Sequence, residues 1–267
     1  MPSSREPNTI TDASKPNAGR IYDYLLGGNH NFEIDRDVSE KLMKMAPFLV
    51  KAVRIIRWFL GEATRRSIDR GFNKFIDFAS GLPTVDHIHS ITKKDAKVIY
   101  SDIDPVTVEY GKEIIGDNPN VKYQTCDAAK PEELLKLDIV KNLFENSFKV
   151  SIGFNGVAWF LTDTQINHAM KVLYDWTDEG SILFITDVDG SDIKSSFQEF
   201  SDIYKNMNQP IFLRPKEELI KLVKPWNVEN PGFISLENWI GISSTVTEEA
   251  KTAWGGKSGL IGGFLRK

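Results

Sequence analysis

The sequence predicts an α/β protein organised on a mostly parallel sheet, and three observations carry that expectation. Short apolar runs at 74–78, 97–101, 121–126, 149–154 and 181–186 alternate with stretches of helical spacing. Asp77, Asp102 and Asp127 stand at the ends of the first three runs. A turn of small residues, Ala79-Ser80-Gly81-Leu82-Pro83-Thr84, follows the first. Strands alternating with helices imply right-handed crossovers and a parallel sheet. Such sheets bind ligands outside the carboxyl ends of their strands, where the strand order reverses.

The elements follow in order. Ile21, Tyr24 and Leu25 share helical spacing, and Gly27-Gly28-Asn29 ends that turn. Residues 35–45 read as a helix with Val38 and Leu42 on one face. Pro47 opens a longer helix, since proline is tolerated in a first turn. Its apolar stripe is Val53, Ile56, Leu60 and Ala63. Lys51, Arg54, Arg57, Arg65, Arg66 and Arg70 cover the rest; they could serve nucleic acid, but a solvated face is the favoured reading. Gly71 ends it. Asp104 caps a helix with Pro105 at its first position, running to about 115. Residues 131–137 and 140–146 look helical, and Asn155-Gly156 breaks the fourth strand. Asp163 is expected to cap a helix with Ile166, Ala169, Met170 and Leu173 inside.

After Asp187 the alternation changes. Phe197, Phe200, Tyr204 and Met207 mark another amphipathic helix, Pro215 opens a short one, and 259–265 reads as a final strand. Residues 1–17 are polar, with no apolar signal core, and read as a flexible tail. Residues 18–267 read as a single domain, with 18–71 a helical extension on a core from 72 onward.

Composition narrows the function. Of 267 residues, 41% are hydrophobic and 26% charged, ordinary for a globular chain. A formal net charge of -4 supplies no global basic field for nucleic acid or anionic membrane. No apolar run reaches membrane-spanning length. The single cysteine, Cys126, allows no disulfide within the chain and suits a reducing cytoplasm.

The stretch from 75 to 104 reads as a nucleoside-cofactor site. The small-residue turn lets backbone approach a nucleoside, and Asp102 stands where an acid suits a ribose diol. A dinucleotide site wants Gly-x-Gly-x-x-Gly, so that a helix N-terminus meets a pyrophosphate. Here the turn holds one glycine, Gly81, and Pro83 sits where the helix would begin. That argues for a cofactor without phosphate. S-adenosyl-methionine fits, carrying a sulfonium, an amine and a carboxylate, with Asp77 as the acid near its cationic end.

Several stretches together resemble one family of S-adenosyl-methionine-dependent methyltransferases, of the class I Rossmann-like fold. Residues 19–32, Gly-Arg-Ile-Tyr-Asp-Tyr-Leu-Leu-Gly-Gly-Asn-His-Asn-Phe, are similar to that family's opening segment. Ile76 to Thr84, Tyr100 to Pro105 and the glycine-rich end from Gly259 resemble further parts. The resemblance implies a mostly parallel seven-stranded sheet with helices on both faces and an N-terminal helical extension. Two departures stand out. Ala79 replaces the family's first turn glycine, and Asn29-His30 replaces Lys-Asp.

The resemblance also implies roles. Asp77 faces the methionyl amine, with Ala79, Ser80 and Gly81 forming the turn beneath. Asp102 accepts from the ribose hydroxyls, as an ionised carboxylate can. Ile103 lies on the adenine, Asp127 takes its amino group, and Ala128 offers a backbone amide. Asn155 borders the point where methyl donor and acceptor meet. It lacks the following Pro-Pro of methylases that modify exocyclic amines in nucleic acid, which speaks against that substrate. The segment with Arg20, Tyr22, Gly27, Gly28 and Asn31 is expected to fold over the methionyl end. Arg20 would sit near the carboxylate, and Tyr22 or Asn31 near the amine. No catalytic base is evident, and alignment of reactants can supply much of the rate. His87-x-His89 has no third ligand nearby and does not suit a metal. Trp159 and Phe160 could line an acceptor pocket, with core packing the favoured reading.

The expected activity is therefore methyl transfer from S-adenosyl-methionine to a small-molecule acceptor. The alternative is a non-catalytic module that binds S-adenosyl-methionine or S-adenosyl-homocysteine. A nicotinamide dehydrogenase is disfavoured by the missing glycines.

Overall fold

The structure is a computed structural model that describes residues 14–84, 86–192, 197–242 and 259–267. Three helices come first: α1 (Ala18–Leu25), α2 (Glu33–Met45) and α3 (Leu49–Asp69). The alternating part follows as β1 (Lys74–Phe78), α4 (Ile88–Ile91), β2 (Lys97–Asp102), α5 (Pro105–Ile115) and β3 (Val121–Thr125). It continues with α6 (Glu132–Leu135), α7 (Asp138–Phe144), β4 (Ser151–Phe154), α8 (Asp163–Trp176) and β5 (Ile182–Val188). The last part holds α9 (Phe197–Asn206), α10 (Lys216–Leu222), β6 (Asn227–Val228), β7 (Ile234–Ser235), α11 (Leu236–Trp239) and β8 (Leu260–Arg266).

The sheet runs β3-β2-β1-β4-β5-β8-β6, with β7 also paired to β8. β1 to β5 are mutually parallel, and β8 lies antiparallel to β5. Among the described residues this makes eight strands rather than the expected seven. The two-residue strands β6 and β7 escape sequence reading because such short stretches carry no periodicity. The order reverses between β1 and β4, which start crossovers to opposite sides.

Period-two alternation divides the sheet's side chains between two cores. Ile76, Phe78, Ile152 and Phe154 face one side and pack with Phe144, Met170 and Trp226. Phe75, Val98 and Phe184 face the other, under Ile55, Phe59 and Ala63 of α3. α3 is thus one of the sheet's own covering layers, not an appendage, so the expected boundary at 71 cuts through a core. Burial of Phe59, 0% exposed, contributes about 1.5–3 kcal/mol. The tail also ends earlier than expected. Asn17 is 3% exposed and caps α1 by accepting from the Gly19 and Arg20 amides. Residues 1–13 lie outside the described part.

Local signals hold with small shifts. Asp104 caps α5, accepting from the Val106 amide. α8 is capped by Thr162 rather than Asp163, in a reciprocal box with Gln165. Pro47 stands two residues ahead of α3. Among the described residues, no helix is long and apolar enough to cross a membrane.

Candidate functional site

A cavity opens above the carboxyl ends of β2, β1, β4 and β5 and the start of β8, across the reversal point. Its floor includes Asp77, Ala79, Ser80, Gly81, Asp102, Ile103 and Asn155. α1, α3 and α9 wall it through residues such as Tyr22, Arg57 and Tyr204.

Asp77 and Arg57 define its polar centre. Asp77 shares the α3 face of β1 with Phe75, two residues earlier. Its carboxylate lies across β4, where a Cβ on Gly153 would meet Oδ1 at 2.2 Å. Only a glycine fits there. Asp77 is 2% exposed, and Oδ1 has no hydrogen-bond partner. Burial pushes its carboxyl up to about 7, although the Arg57 charge opposes this. Arg57 is 8% exposed, lies over the Tyr22 ring at 5.5 Å, and has no partner for one guanidinium nitrogen. It was expected on a solvated face. Helical periodicity instead brings it beside the Val53, Ile56 and Leu60 stripe and into the cavity.

The neighbouring imidazole is held neutral. His87 accepts the Ile88 amide on Nδ1, which leaves Nε2–H to donate to the Ser80 carbonyl at 3.1 Å. Burial first, and then the Arg57 charge, hold it well below the usual histidine range. Its Nε2 is 3.9 Å from Asp77 Oδ2, beyond hydrogen-bonding distance.

Asp102 closes β2 with both oxygens placed. Oδ2 accepts from the Gly81 amide and Oδ1 from the Asp104 amide, each at 3.0 Å. Each oxygen keeps a further lone pair. Burial pushes this carboxyl up to about 6, against those two amide bonds. Ser80 locks the turn: its hydroxyl donates to the Asp77 carbonyl and accepts from the Ser101 amide. Ala79 takes φ +53, the left-handed region that favours glycine. Asn155 accepts from Thr186 Oγ1 at 3.2 Å, fixing its orientation at the end of β4.

The N-terminal segment divides. Asn17, Ala18, Gly19, Tyr22 and Leu25 line the cavity, so α1 does cover it. Arg20 does not join them. It is 1% exposed and bonds Asp35 at 2.8 Å and Asp104 at 3.0 Å, with its last nitrogen on the Lys15 carbonyl. Its charge is spent joining α1, α2 and the start of α5. Gly27, Gly28 and Asn31 also lie off the cavity, in a loop closed on Asp23. Asp23 accepts from the His30 amide and the Asn31 side chain, each at 2.9 Å. A Cβ on Gly28 would strike that carboxylate at 2.1 Å. Asp127 and Ala128 are likewise not on the wall. Asp127 accepts from the Ala129 amide within its own turn, and Ala128 is buried in the core of the opposite face.

Sequence reading missed Arg57, Tyr204 and Gln209, and for Trp159 and Phe160 it favoured the core over a pocket wall. All five line the cavity. Gly153, Asp77 and the apolar stripe of α3 were the available signals for Arg57. Nothing in the order of residues ties 204 or 209 to position 77.

These features define a doubly wound α/β protein with a cavity at its strand reversal, built without a glycine-rich phosphate loop. The chain matches the model of the S-adenosyl methyltransferase family over residues 4–262 and belongs to that family. On that ground it is an S-adenosyl-methionine-dependent enzyme, with S-adenosyl-methionine the cofactor. Among solved structures, a provisionally assigned methyltransferase from Thermobifida fusca is 28% identical, at a TM-score of 0.84, covering 96% of this chain and 97% of that one. A DUF574 family protein from Streptomyces avermitilis is 19% identical at the same TM-score of 0.84, covering 96% and 99%. The magnesium protoporphyrin IX methyltransferase of Synechocystis, solved with SAH (S-adenosyl-homocysteine) bound, shares the fold at 10% identity and TM-score 0.54, covering 97% and 98%. No curated protein matches.

Proposed function

We propose that the cavity binds S-adenosyl-methionine and serves methyl transfer to a small-molecule acceptor. One observation carries this reading: two buried, oppositely charged side chains, Asp77 and Arg57, line one cavity with polar atoms left unpartnered. An unpaired buried charge is costly. A ligand carrying an ammonium and a carboxylate would satisfy both. Asp77 would take the methionyl amine, and Arg57, in place of Arg20, the carboxylate. Asp102 would accept from the ribose hydroxyls while staying fixed by the Gly81 and Asp104 amides. Ile103 would lie against the base.

When bound, S-adenosyl-methionine would supply an electrophilic methyl for the acceptor's lone pair, its carbon–sulfur electron pair staying on sulfur and the acceptor's proton passing to water. The chain's part is to bind, orient and exclude water. Tyr22 and α1 would cover the methionyl end, and Asn155 would border the reacting atoms. Among the described lining residues there is no histidine, cysteine or lysine to act as a base. Positioning is then the main contribution.

Calorimetry with S-adenosyl-homocysteine tests the site. Binding that weakens about 10-fold or more in Arg57→Ala, with circular dichroism unchanged, supports it. Unchanged affinity in that variant refutes the carboxylate assignment. Labelled methyl transfer from S-adenosyl-methionine into a metabolite pool separates the enzyme from a binding module.

A further inference from the structure

The cavity is longer than one cofactor's polar contacts. It spans the ends of β2, β1, β4, β5 and β8, four strand spacings or about 19 Å. Every charged side chain on its described wall, Arg57, Asp77 and Asp102, belongs to the β2–β1 half or to α3 above it. The β4–β8 half is different. Val188 and Leu260 form its floor, Trp159 and Phe160 one side, and Phe200 and Tyr204 of α9 its roof. The rings of Phe160 and Phe200 stand 5.8 and 5.4 Å from that of Tyr204, a continuous aromatic wall.

Two polar groups interrupt this surface. Tyr204 and Gln209 are each 7% exposed and line the cavity. Gln209 Oε1 accepts from the Ala18 amide at 2.8 Å, while its Nε2 donates to no described residue. The Tyr204 hydroxyl likewise makes no hydrogen bond to a described residue. Burial raises the pKa of that phenol, so it stays protonated and is a donor rather than a base at neutral pH. Both groups can therefore donate to a ligand.

We infer that this half holds the methyl acceptor, and that the acceptor is an uncharged, largely aromatic small molecule presenting one hydrogen-bond acceptor to Tyr204 and Gln209. The inference rests on the cofactor reading above, which gives the other half its occupant. A charged acceptor would be desolvated here without a counter-charge, at a cost the wall cannot offset. A flat aromatic one matches the ring-lined slot, where aromatic pairs add to plain area burial.

The test uses the full chain saturated with S-adenosyl-homocysteine, and calorimetric titration with 2-naphthol and with 2-naphthoate. Naphthol is expected to bind saturably, and naphthoate about tenfold or more weaker. Ile211 also lines the cavity. Phe160→Ala, which removes one wall, and Ile211→Trp, which fills the slot, should each weaken naphthol about fivefold while leaving S-adenosyl-homocysteine affinity within about twofold. That retained affinity also reports the fold. Equal binding of naphthoate, no binding of naphthol, or naphthol binding indifferent to both variants overturns the inference. If S-adenosyl-homocysteine itself does not bind, the cofactor reading fails instead, and the two naphthalenes titrated into the free protein still decide the character of the slot.

Discussion

Arg20 and Arg57 are both buried arginines of the N-terminal helices, yet their surroundings are opposite. Arg20 meets Asp35, Asp104 and a carbonyl, so its donors are spent within the protein. Arg57 lies over one aromatic ring and leaves a nitrogen unpartnered beside an equally unpartnered Asp77. The same contrast separates two acids elsewhere in these regions. Asp23 closes a loop with two bonds, whereas Asp77 keeps an oxygen free. A buried charge with every partner supplied is architecture. A buried charge lacking a partner is a site that waits for one.

The sharpest way to break this comparison is Arg20→Ala. It leaves Asp35 and Asp104, both 0% exposed, without their shared cation. A loss of about 3–5 kcal/mol is expected in urea unfolding. Arg57→Ala should leave stability nearly unchanged, since it breaks no bond to a carboxylate. Equal losses in the two variants would erase the distinction.

Asp102→Ala comes next, on binding rather than stability. With Asp102 in its proposed place at the ribose, removing its carboxylate should weaken S-adenosyl-homocysteine by about 1–3 kcal/mol in calorimetry. An affinity equal to wild type would remove Asp102 from the site.

The pH dependence follows from the carboxyls pushed up to about 7 for Asp77 and about 6 for Asp102. A ligand amine needs Asp77 ionised. Affinity should therefore be full at pH 8 and fall below 7, by at most about tenfold per unit for each proton expelled. Asp77→Asn should flatten the upper part of that profile. The free protein shows the opposite slope. Between the ordinary carboxyl value and about 7, the folded state holds a proton on Asp77 that the unfolded chain has lost. Stability then declines as pH rises through that window. Urea midpoints measured at pH 5 and pH 8, compared with those of Asp77→Asn, check the sign.

The smallest effect concerns the turn. Ala79 at φ +53 carries a left-handed cost of about 1–2 kcal/mol, which glycine would relieve. Glycine costs about 0.4–1 kcal/mol through unfolded-state entropy. Ala79→Gly should thus be neutral to stabilising by up to about 1.6 kcal/mol, with cofactor affinity kept or improved. A loss of stability would mean that the methyl packs usefully where it stands.

The sequence by itself determined the parallel α/β sheet, most of its helices and the acids at its strand ends. Those features depend on neighbours two to four residues away, through alternation, helical spacing, caps and proline. It also marked the 20–32 segment as important, but not whether its polar groups serve a ligand or one another. Only the tertiary structure decided that. Arg20 finds Asp104 across 84 residues, and Arg57 comes to share a cavity with Asp77 because α3 crosses the face of β1 on which Asp77 stands. The same holds for Phe160, Tyr204 and Gln209, which line one slot through the docking of α9 on α1 and α3. Whether a buried polar atom is satisfied is a property of distant contacts, and a residue's type and spacing do not contain it.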